Sequence, residues 1–283
     1  MKDVKYFAAS SLEEAKALLA EYGGKATVLA GGTDLLPKIN YYNRIPDVFI
    51  YIGSLPLDYV KEEEDKILLG ACTPASKLVA SKLLAEKTPA LLEAARSIGS
   101  EAIRTKATIG GNLVNGSPAA DLATPLLAMD AEVKLESAGQ TRTMPLKDFF
   151  QGPGQTALKA EELLTEIAIP ASRGRTVFLK LGRRKALTLS IMNVATRVVQ
   201  NGGTVETVRI AVGAMAPVPM RCTAAESMVA GKKLEQKLID ECAECAIAET
   251  NPINDQRATA WYRRRAGKAM VARALGLAAG LPK

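Results

Sequence analysis

Two glycine pairs, each followed by polar residues, constrain this chain more than any other feature of its sequence. The first lies in Ala30-Gly31-Gly32-Thr33-Asp34, after an apolar segment that predicts a buried strand, and the second lies in Thr108-Ile109-Gly110-Gly111-Asn112. Because glycine has no Cβ, successive backbone N–H groups can converge on one point, and such concave backbones bind phosphate oxygens. Two of them in one chain predict two loops that face each other around one pyrophosphate. Two ordinary tight turns are the alternative.

Length and charge exclude several classes of protein. A chain of 283 residues favours two compact units over one. The net charge is +7, but the basic residues are scattered and only 5% of residues are aromatic, so a nucleic-acid surface is not expected. We expect the charge to face an acidic partner or an anionic cofactor. No apolar run reaches the ~18 residues of a membrane span, and the first residues lack a signal-peptide core, so a cytoplasmic protein is expected.

The chain contains no histidine, which excludes a Ser-His-Asp triad, a Cys-His pair and histidine-ligated zinc. Any chemistry must then use carboxylates, lysine, tyrosine or a bound cofactor. Four cysteines in 283 residues do not form a disulfide framework. Cys242 and Cys245 form a C-x-x-C inside a predicted helix, and because a four-thiolate cluster needs two further cysteines nearby, we interpret them as helix packing.

The pattern of apolar residues and caps predicts an α+β chain. Residues 1–50 read strand–helix–strand–loop–helix–strand, and two hairpins and several helices follow up to residue 170. A polar, glycine-containing segment at 171–175 marks a boundary, so the predicted units are 1–172 and 173–283. The second unit is predicted to contain three helices after three antiparallel strands, at Thr176–Leu181, Leu187–Gln200 and Thr204–Ala214.

A third glycine motif, Gly152-Pro153-Gly154-Gln155-Thr156-Ala157, matches the loose dinucleotide pattern G-x-G-x-x-A. We interpret it as a plain loop, because no strong strand precedes it and proline separates the glycines.

Polar side chains beside the second glycine pair are candidates for ligand contact. Asn112 and Asn115 each offer donor and acceptor atoms. Asp121, which follows Ser117, is a candidate N-cap for a helix from Leu122 and also a candidate acceptor for ribose or ring N–H groups. Lys180 is either a surface lysine or a cofactor contact, and the sequence leaves both open.

The segments Leu29–Leu36 and Thr108–Asp121 resemble those of the FAD-binding subunits of molybdenum hydroxylases. This family includes the medium subunits of xanthine, carbon monoxide and nicotinate dehydrogenases. The likeness runs almost end to end, with similar segments at Gly152–Leu158, Glu162–Pro170 and Pro219–Glu226. It implies a fold like that of vanillyl-alcohol-oxidase-type flavoproteins. Two α+β subdomains (about 1–55 and 56–172) would bind FAD, and a C-terminal flavoprotein domain (173–283) would follow.

The resemblance also implies the cofactor contacts. The backbone of both glycine segments would hold the FAD pyrophosphate, and polar side chains would add hydrogen bonds. Leu164 and Lys180 would approach the flavin, while Ile98 stands where some relatives have an aromatic residue. The complete set is Leu29, Ala30, Gly31, Gly32, Thr33, Asp34, Leu35, Leu36, Ile98, Thr108, Ile109, Gly110, Gly111, Asn112, Asn115, Ser117, Asp121, Leu164 and Lys180.

The function implied by the resemblance is electron transfer, with the flavin performing the redox step and no catalytic side chain or metal ligand on this chain. A large partner would hold the molybdopterin cofactor and a small partner two [2Fe–2S] clusters, in a dimer of heterotrimers. The acceptor would be NAD or a quinone-like carrier. Thr33-Asp34 stands where carbon monoxide dehydrogenases typically have His-Ser, which favours the xanthine and nicotinate branch. A stand-alone FAD oxidoreductase and a basic adaptor without redox role are the alternatives.

Overall fold

The structure, a computed structural model, describes residues 3–43, 45–171 and 173–281. It confirms the α+β class, with one parallel sheet and three antiparallel sheets. No helix in these ranges is long and apolar enough to cross a membrane. The segment at 171–175 includes Ser172, which lies outside the described residues.

The N-terminal part is a three-stranded parallel sheet in the order β1-β3-β2, with a helix in each connection. This is the predicted strand–helix–strand–loop–helix–strand order. The elements are β1 Lys5–Ala8, α1 Leu12–Tyr22, β2 Ala26–Leu29, α2 Leu35–Tyr42 and β3 Val48–Tyr51. Both loops after β2 and β3 therefore emerge at the same edge of the sheet.

The middle part is a five-stranded antiparallel sheet in the order β4-β5-β10-β6-β7, covered by short helices. Its strands are β4 Val60–Glu63, β5 Lys66–Gly70, β6 Glu132–Ser137, β7 Gln140–Pro145 and β10 Leu163–Pro170. The helices are α3 Ala75–Ala80, α4 Lys82–Lys87, α5 Pro89–Arg96, α6 Glu101–Arg104, α7 Ile109–Val114 and α8 Ala123–Ala128. The third glycine motif, predicted as a plain loop, lies in a small hairpin of β8 Phe150–Gly152 and β9 Gln155–Thr156, and the next element along the chain is a strand.

The C-terminal part is an antiparallel sheet in the order β11-β12-β13-β14, followed by three helices, of which the first and the third pack against the sheet and the second packs against the other two. Its elements are β11 Arg175–Gly182, β12 Ser190–Asn201, β13 Thr204–Gly213, β14 Met220–Arg221, α9 Thr223–Val229, α10 Gln236–Ala248 and α11 Ala260–Ala279. Three strands were predicted, and the fourth was missed because two residues are too few to show a period. The predicted start of the second strand at Leu187 is also wrong, since Leu187 has a left-handed φ of +51° and lies in a turn.

The apolar core has three clusters, one of which joins the middle and C-terminal parts. The largest cluster runs from Ile67 to Ile169 and also contains Phe178, Ala195 and Ala211. The C-terminal cluster contains Cys242, whose pKa burial raises to about 12, so that the thiol stays protonated. This burial confirms the helix-packing interpretation, and no group of metal-ligating side chains occurs among the described residues.

Candidate cofactor site

The first glycine pair forms a concave backbone at the start of α2. Gly32 has a φ of +69°, which is costly for other residues, and the chain then enters α2 with the Leu36 N–H donating to the Gly32 carbonyl (3.0 Å). Within the described ranges, the five N–H groups of residues 31–35 donate to no protein acceptor. Adjacent free N–H groups at a helix N-terminus attract anions through their own partial charges and the helix dipole.

The second glycine pair is not a loop but the first turn of α7. Thr108 is the N-cap, and its Oγ1 accepts from the Gly111 N–H (3.1 Å). The Asn112 N–H donates to the Thr108 carbonyl (3.0 Å). These two N–H groups are satisfied inside the helix turn and are not free for a ligand.

The two remaining N–H groups of this turn donate to the segment after β5. Ile109 donates to the Thr73 carbonyl (3.0 Å) and Gly110 to the Ala71 carbonyl (2.9 Å). A Cβ at Gly110 would lie 2.7 Å from the same Ala71 oxygen, so this glycine permits a close approach of backbones. The N–H groups of residues 109–112 are therefore engaged by the protein, and the binding of a pyrophosphate by the backbone of Thr108–Asn112 stays a prediction. The local sequence does not reveal the contact of Ile109 and Gly110 with residues 71–73.

The two glycine segments nevertheless lie side by side, as predicted. A methyl group at Gly31 would overlap the backbone carbonyl of Lys106, just before the second segment. Lys38 joins the segments from α2, since its Nζ lies 2.6 Å from the Asp34 carboxylate and donates to the Asn115 side-chain oxygen (2.7 Å). Sequence reasoning missed Lys38. Its spacing of four residues from Asp34 was the available signal, because side chains at i and i+4 meet on a helix.

One buried polar atom beside these segments has no partner. The Oδ1 atom of Asn112 is shielded from solvent and forms no hydrogen bond. A buried unsatisfied acceptor costs about 1–3 kcal/mol, so such atoms are uncommon in folded proteins unless a ligand or water satisfies them. Asn112 and the free backbone of residues 31–35 fit a ligand that carries both phosphate oxygens and hydrogen-bond donors.

Asp121 does not cap α8, because Leu122 occupies the N-cap position there. Its Oδ2 accepts from Lys180 Nζ (2.6 Å), and its Oδ1 accepts from Ser190 Oγ (2.6 Å) and Asn193 Nδ2 (2.9 Å). The side chains of Asp121 and Lys180 are 9% and 10% exposed, so this is a buried ion pair. The carboxylate is thus engaged by the protein, and its direct role is to hold Lys180. Sequence reasoning missed Ser190 and Asn193, which follow Asp121 by about 70 residues.

The remaining predicted site residues lie around the glycine segments and the Asp121–Lys180 pair. Lys180 also donates to the Ser97 carbonyl (3.0 Å), which places it next to Ile98. Leu164 is buried in β10, in the cluster against which Ile98 packs. Leu29 and Ala30 lead into the free backbone, Leu35 and Leu36 follow it, and Ser117 Oγ accepts from the Ala119 N–H (3.2 Å). Thr33 is half-buried beside the free N–H groups.

Comparison with known proteins identifies relatives over almost the whole chain. Residues 2–172 match the FAD binding domain in molybdopterin dehydrogenase, and residues 177–278 match the carbon monoxide dehydrogenase flavoprotein C-terminal domain. The glyceraldehyde dehydrogenase medium chain of Sulfolobus acidocaldarius is 33% identical over 274 residues, covering 96% of this chain and 97% of that protein. The nicotinate dehydrogenase FAD-subunit of Eubacterium barkeri is 37% identical over 248 residues, covering 85% and 84%.

A solved structure also matches almost the whole chain. The carbon monoxide dehydrogenase from Hydrogenophaga pseudoflava that lacks the Mo-pyranopterin moiety of its molybdenum cofactor superimposes with a TM-score of 0.94 at 34% identity. The match covers 97% of this chain and 96% of that one.

Proposed function

The chain belongs to the family of FAD-binding subunits of molybdopterin dehydrogenases, and from this we propose that it is the electron outlet of a three-component molybdenum hydroxylase. A small partner with two [2Fe–2S] clusters would pass electrons to FAD on this chain. The FAD would deliver them to an external acceptor such as NAD or a quinone-like carrier. The substrate would be oxidised at a molybdopterin centre on a large partner, in a dimer of heterotrimers.

The observation that carries the proposal is the run of five free backbone N–H groups at residues 31–35, together with the unpartnered oxygen of Asn112 in the neighbouring glycine segment. FAD supplies redox chemistry when bound, so this chain needs only to bind and orient it. The free N–H groups would bind the phosphate oxygens. Lys180, which uses two of its three donors on Ser97 and Asp121, would keep one for the ligand. The side chains of Thr33, Thr108 and Asn112 would complete the contacts.

Two further assignments belong to this proposal. We infer an FAD-binding domain at 1–172 and a C-terminal flavoprotein domain at 173–283, which the separate family matches to residues 2–172 and 177–278 support. We infer the xanthine and nicotinate branch from Thr33-Asp34 alone, because the carbon monoxide dehydrogenase medium chain of Hydrogenophaga pseudoflava is equally similar overall, at 34% identity.

The first test concerns FAD binding and uses two glycine variants. Gly31→Ala would push the first glycine segment away from Lys106, so we expect at least a tenfold loss of FAD affinity, about 1.4 kcal/mol. Gly24→Ala is the matched control, because nothing lies within 4 Å of a Cβ there. Flavin absorbance and fluorescence are measured on the chain alone and on the complex purified with its partners.

Three outcomes would contradict the proposal. One is a wild-type complex without flavin, and another is a Gly31→Ala variant that binds FAD as the control does. The third is substrate turnover by the isolated chain, which would instead support a stand-alone oxidoreductase.

A further inference from the structure

The turn between β11 and β12 forms an exposed surface that the proposed function does not use. Residues 183–189 carry Arg183, Arg184 and Lys185, followed by Leu187 and Leu189, which are exposed. A large apolar side chain that is 66% exposed, as Leu189 is, often marks an interaction site when neighbours share its exposure.

The first turn of α11 extends this surface. Trp261, 66% exposed, lies there with Arg264 and Arg265, and the Arg265 guanidinium stands 5.7 Å from the centre of the indole ring. Two hydrogen bonds connect each segment to residues that flank the other: Arg183 donates to the Gln256 carbonyl (3.3 Å), before α11, and buried Arg263 donates to the Ile191 carbonyl, just after the turn. We call residues 183–189 together with residues 261–265 the basic patch.

The positive charge of the basic patch is not compensated within the described ranges. Five cations, at positions 183, 184, 185, 264 and 265, form no ion pair there. The nearby carboxylate of Asp255 is taken by Arg257 (2.6 Å) and Arg263 (2.7 Å). A partner for this surface must therefore bring negative charge.

The basic patch lies next to Lys180. In the sheet, Lys180 pairs with Asn193 and Gly182 with Ser190, so the turn leaves the sheet just beyond the buried ion pair. At about 3.3 Å per residue, the backbone of Arg183 is roughly 10 Å from that of Lys180 along the strand. Ser190, at the end of the turn, donates to Asp121.

Helix α2 forms a second exposed surface, which differs from the basic patch in its charge. Helix α2 has no buried residue and exposes Leu36, Tyr41 and Tyr42, while the charge of Lys38 on it is neutralised by Asp34. Permanent subunit interfaces are apolar and poor in charge, as this face is. Transient electron-transfer contacts are small, and opposite charges speed their formation. With its uncompensated positive charge, the basic patch resembles a transient electron-transfer contact and not a permanent subunit interface.

We propose that the basic patch docks a small acidic one-electron carrier protein, which takes electrons from the FAD. This rests on the proposed function and specifies a protein, in place of NAD or a quinone-like carrier, as the electron acceptor. Each carrier molecule accepts one electron, so two carriers return one fully reduced FAD to its oxidised form, and the protons of the reduced ring pass to water.

The test compares two double charge reversals of equal size, Arg184→Glu/Lys185→Glu in the patch and Lys232→Glu/Lys233→Glu at another exposed site. Binding of an acidic flavodoxin is measured by calorimetry at low and high salt. We expect the patch variant to bind about tenfold or more weakly, the control variant to bind like wild type, and salt to weaken wild-type binding. A basic cytochrome c of similar size should not bind.

Electron transfer separates this proposal from the function on which it rests. The FAD of the purified complex is reduced photochemically and mixed with flavodoxin or with a small neutral dye. If the dye is not reduced, the proposed function fails. If the dye is reduced but flavodoxin reduction is the same in both variants, only the docking proposal fails. Binding of the wild type, but not of the patch variant, to phosphatidylglycerol vesicles in place of flavodoxin would also overturn it.

Discussion

Asp121 shows how one residue connects two parts of the chain. Its carboxylate, on the segment before α8, accepts from Lys180 on β11 and from Ser190 and Asn193 on β12. Removing one charge of a buried pair leaves the other uncompensated, so we expect Asp121→Asn to lower the free energy of unfolding by about 3–5 kcal/mol. Adding Lys180→Met should recover part of the loss. Denaturant unfolding followed by circular dichroism measures both changes.

The control for this prediction is another Asp–Lys pair. Asp34 and Lys38 lie 2.6 Å apart but are both about half exposed, so Asp34→Asn should cost no more than about 1 kcal/mol. Equal losses for the two variants would show that Asp121 is not a buried partner of Lys180.

At the residue scale, the sequence predicted positions better than roles. The glycine pairs could be located from the sequence, because the need for a residue without a Cβ is a local property, and the two pairs do lie together. The partner of Gly110 is at residue 71, and those of Asp121 begin at residue 180. No local pattern encodes such distant partners, and so the sequence did not show that the N–H groups of residues 109–112 are already engaged by the protein.

Asp130 holds one helix against three strands. It follows α8 with a left-handed φ of +53° and accepts from Arg197 on β12, Arg209 on β13 and Arg221 on β14. Arg197 and Arg209 are direct cross-strand neighbours, an arrangement that repels without an anion between them. Burial alone would raise the pKa of Asp130, but Arg221, Arg197 and Arg209 together hold it below its usual value.

We predict that Asp130→Asn weakens this junction without changing the backbone, since asparagine also tolerates a left-handed φ. The carboxylate is partly exposed, so the expected loss at pH 7 is about 1–3 kcal/mol, between values for exposed and buried pairs. Because its folded pKa is lowered, Asp130 stabilises the fold above its unfolded pKa, and this contribution is lost as pH falls through the folded value. Between pH 7 and pH 2, the free energy of unfolding should therefore decrease less steeply for the variant than for the wild type. Parallel curves would contradict the charge argument.

Elements with a clear period and cap were predictable, and short or irregular ones were not. The helix Leu12–Tyr22 takes its predicted place after the first strand, because apolar spacing and a terminal glycine define it locally. Met220–Arg221 pairs with β13 only through tertiary contact. Leu187 and Leu189 extend the apolar run of β12 but serve an exposed turn, so composition alone placed the strand too early.

At the scale of the whole molecule, the predicted boundary at 172–173 is crossed by the core. Phe178, Ala195 and Ala211 belong to the same apolar cluster as the middle part. Asp121 and Asp130 add two polar junctions across it. Length and the polar segment at 171–175 predicted two units, and these contacts connect the middle part to the C-terminal part across that boundary.

We therefore predict that the full chain unfolds in a single transition and that a fragment of residues 1–172 does not fold cooperatively. The fragment would lose three core side chains and leave Asp121 and Asp130 without their cations, which is a larger defect than most single substitutions. Calorimetry of the full chain should give equal calorimetric and van't Hoff enthalpies. Fluorescence of the single tryptophan, Trp261 in α11, should change together with the far-ultraviolet circular dichroism of the whole chain. Two separated transitions, or a fragment with a sharp transition of its own, would mean that the shared core contributes too little to couple the parts.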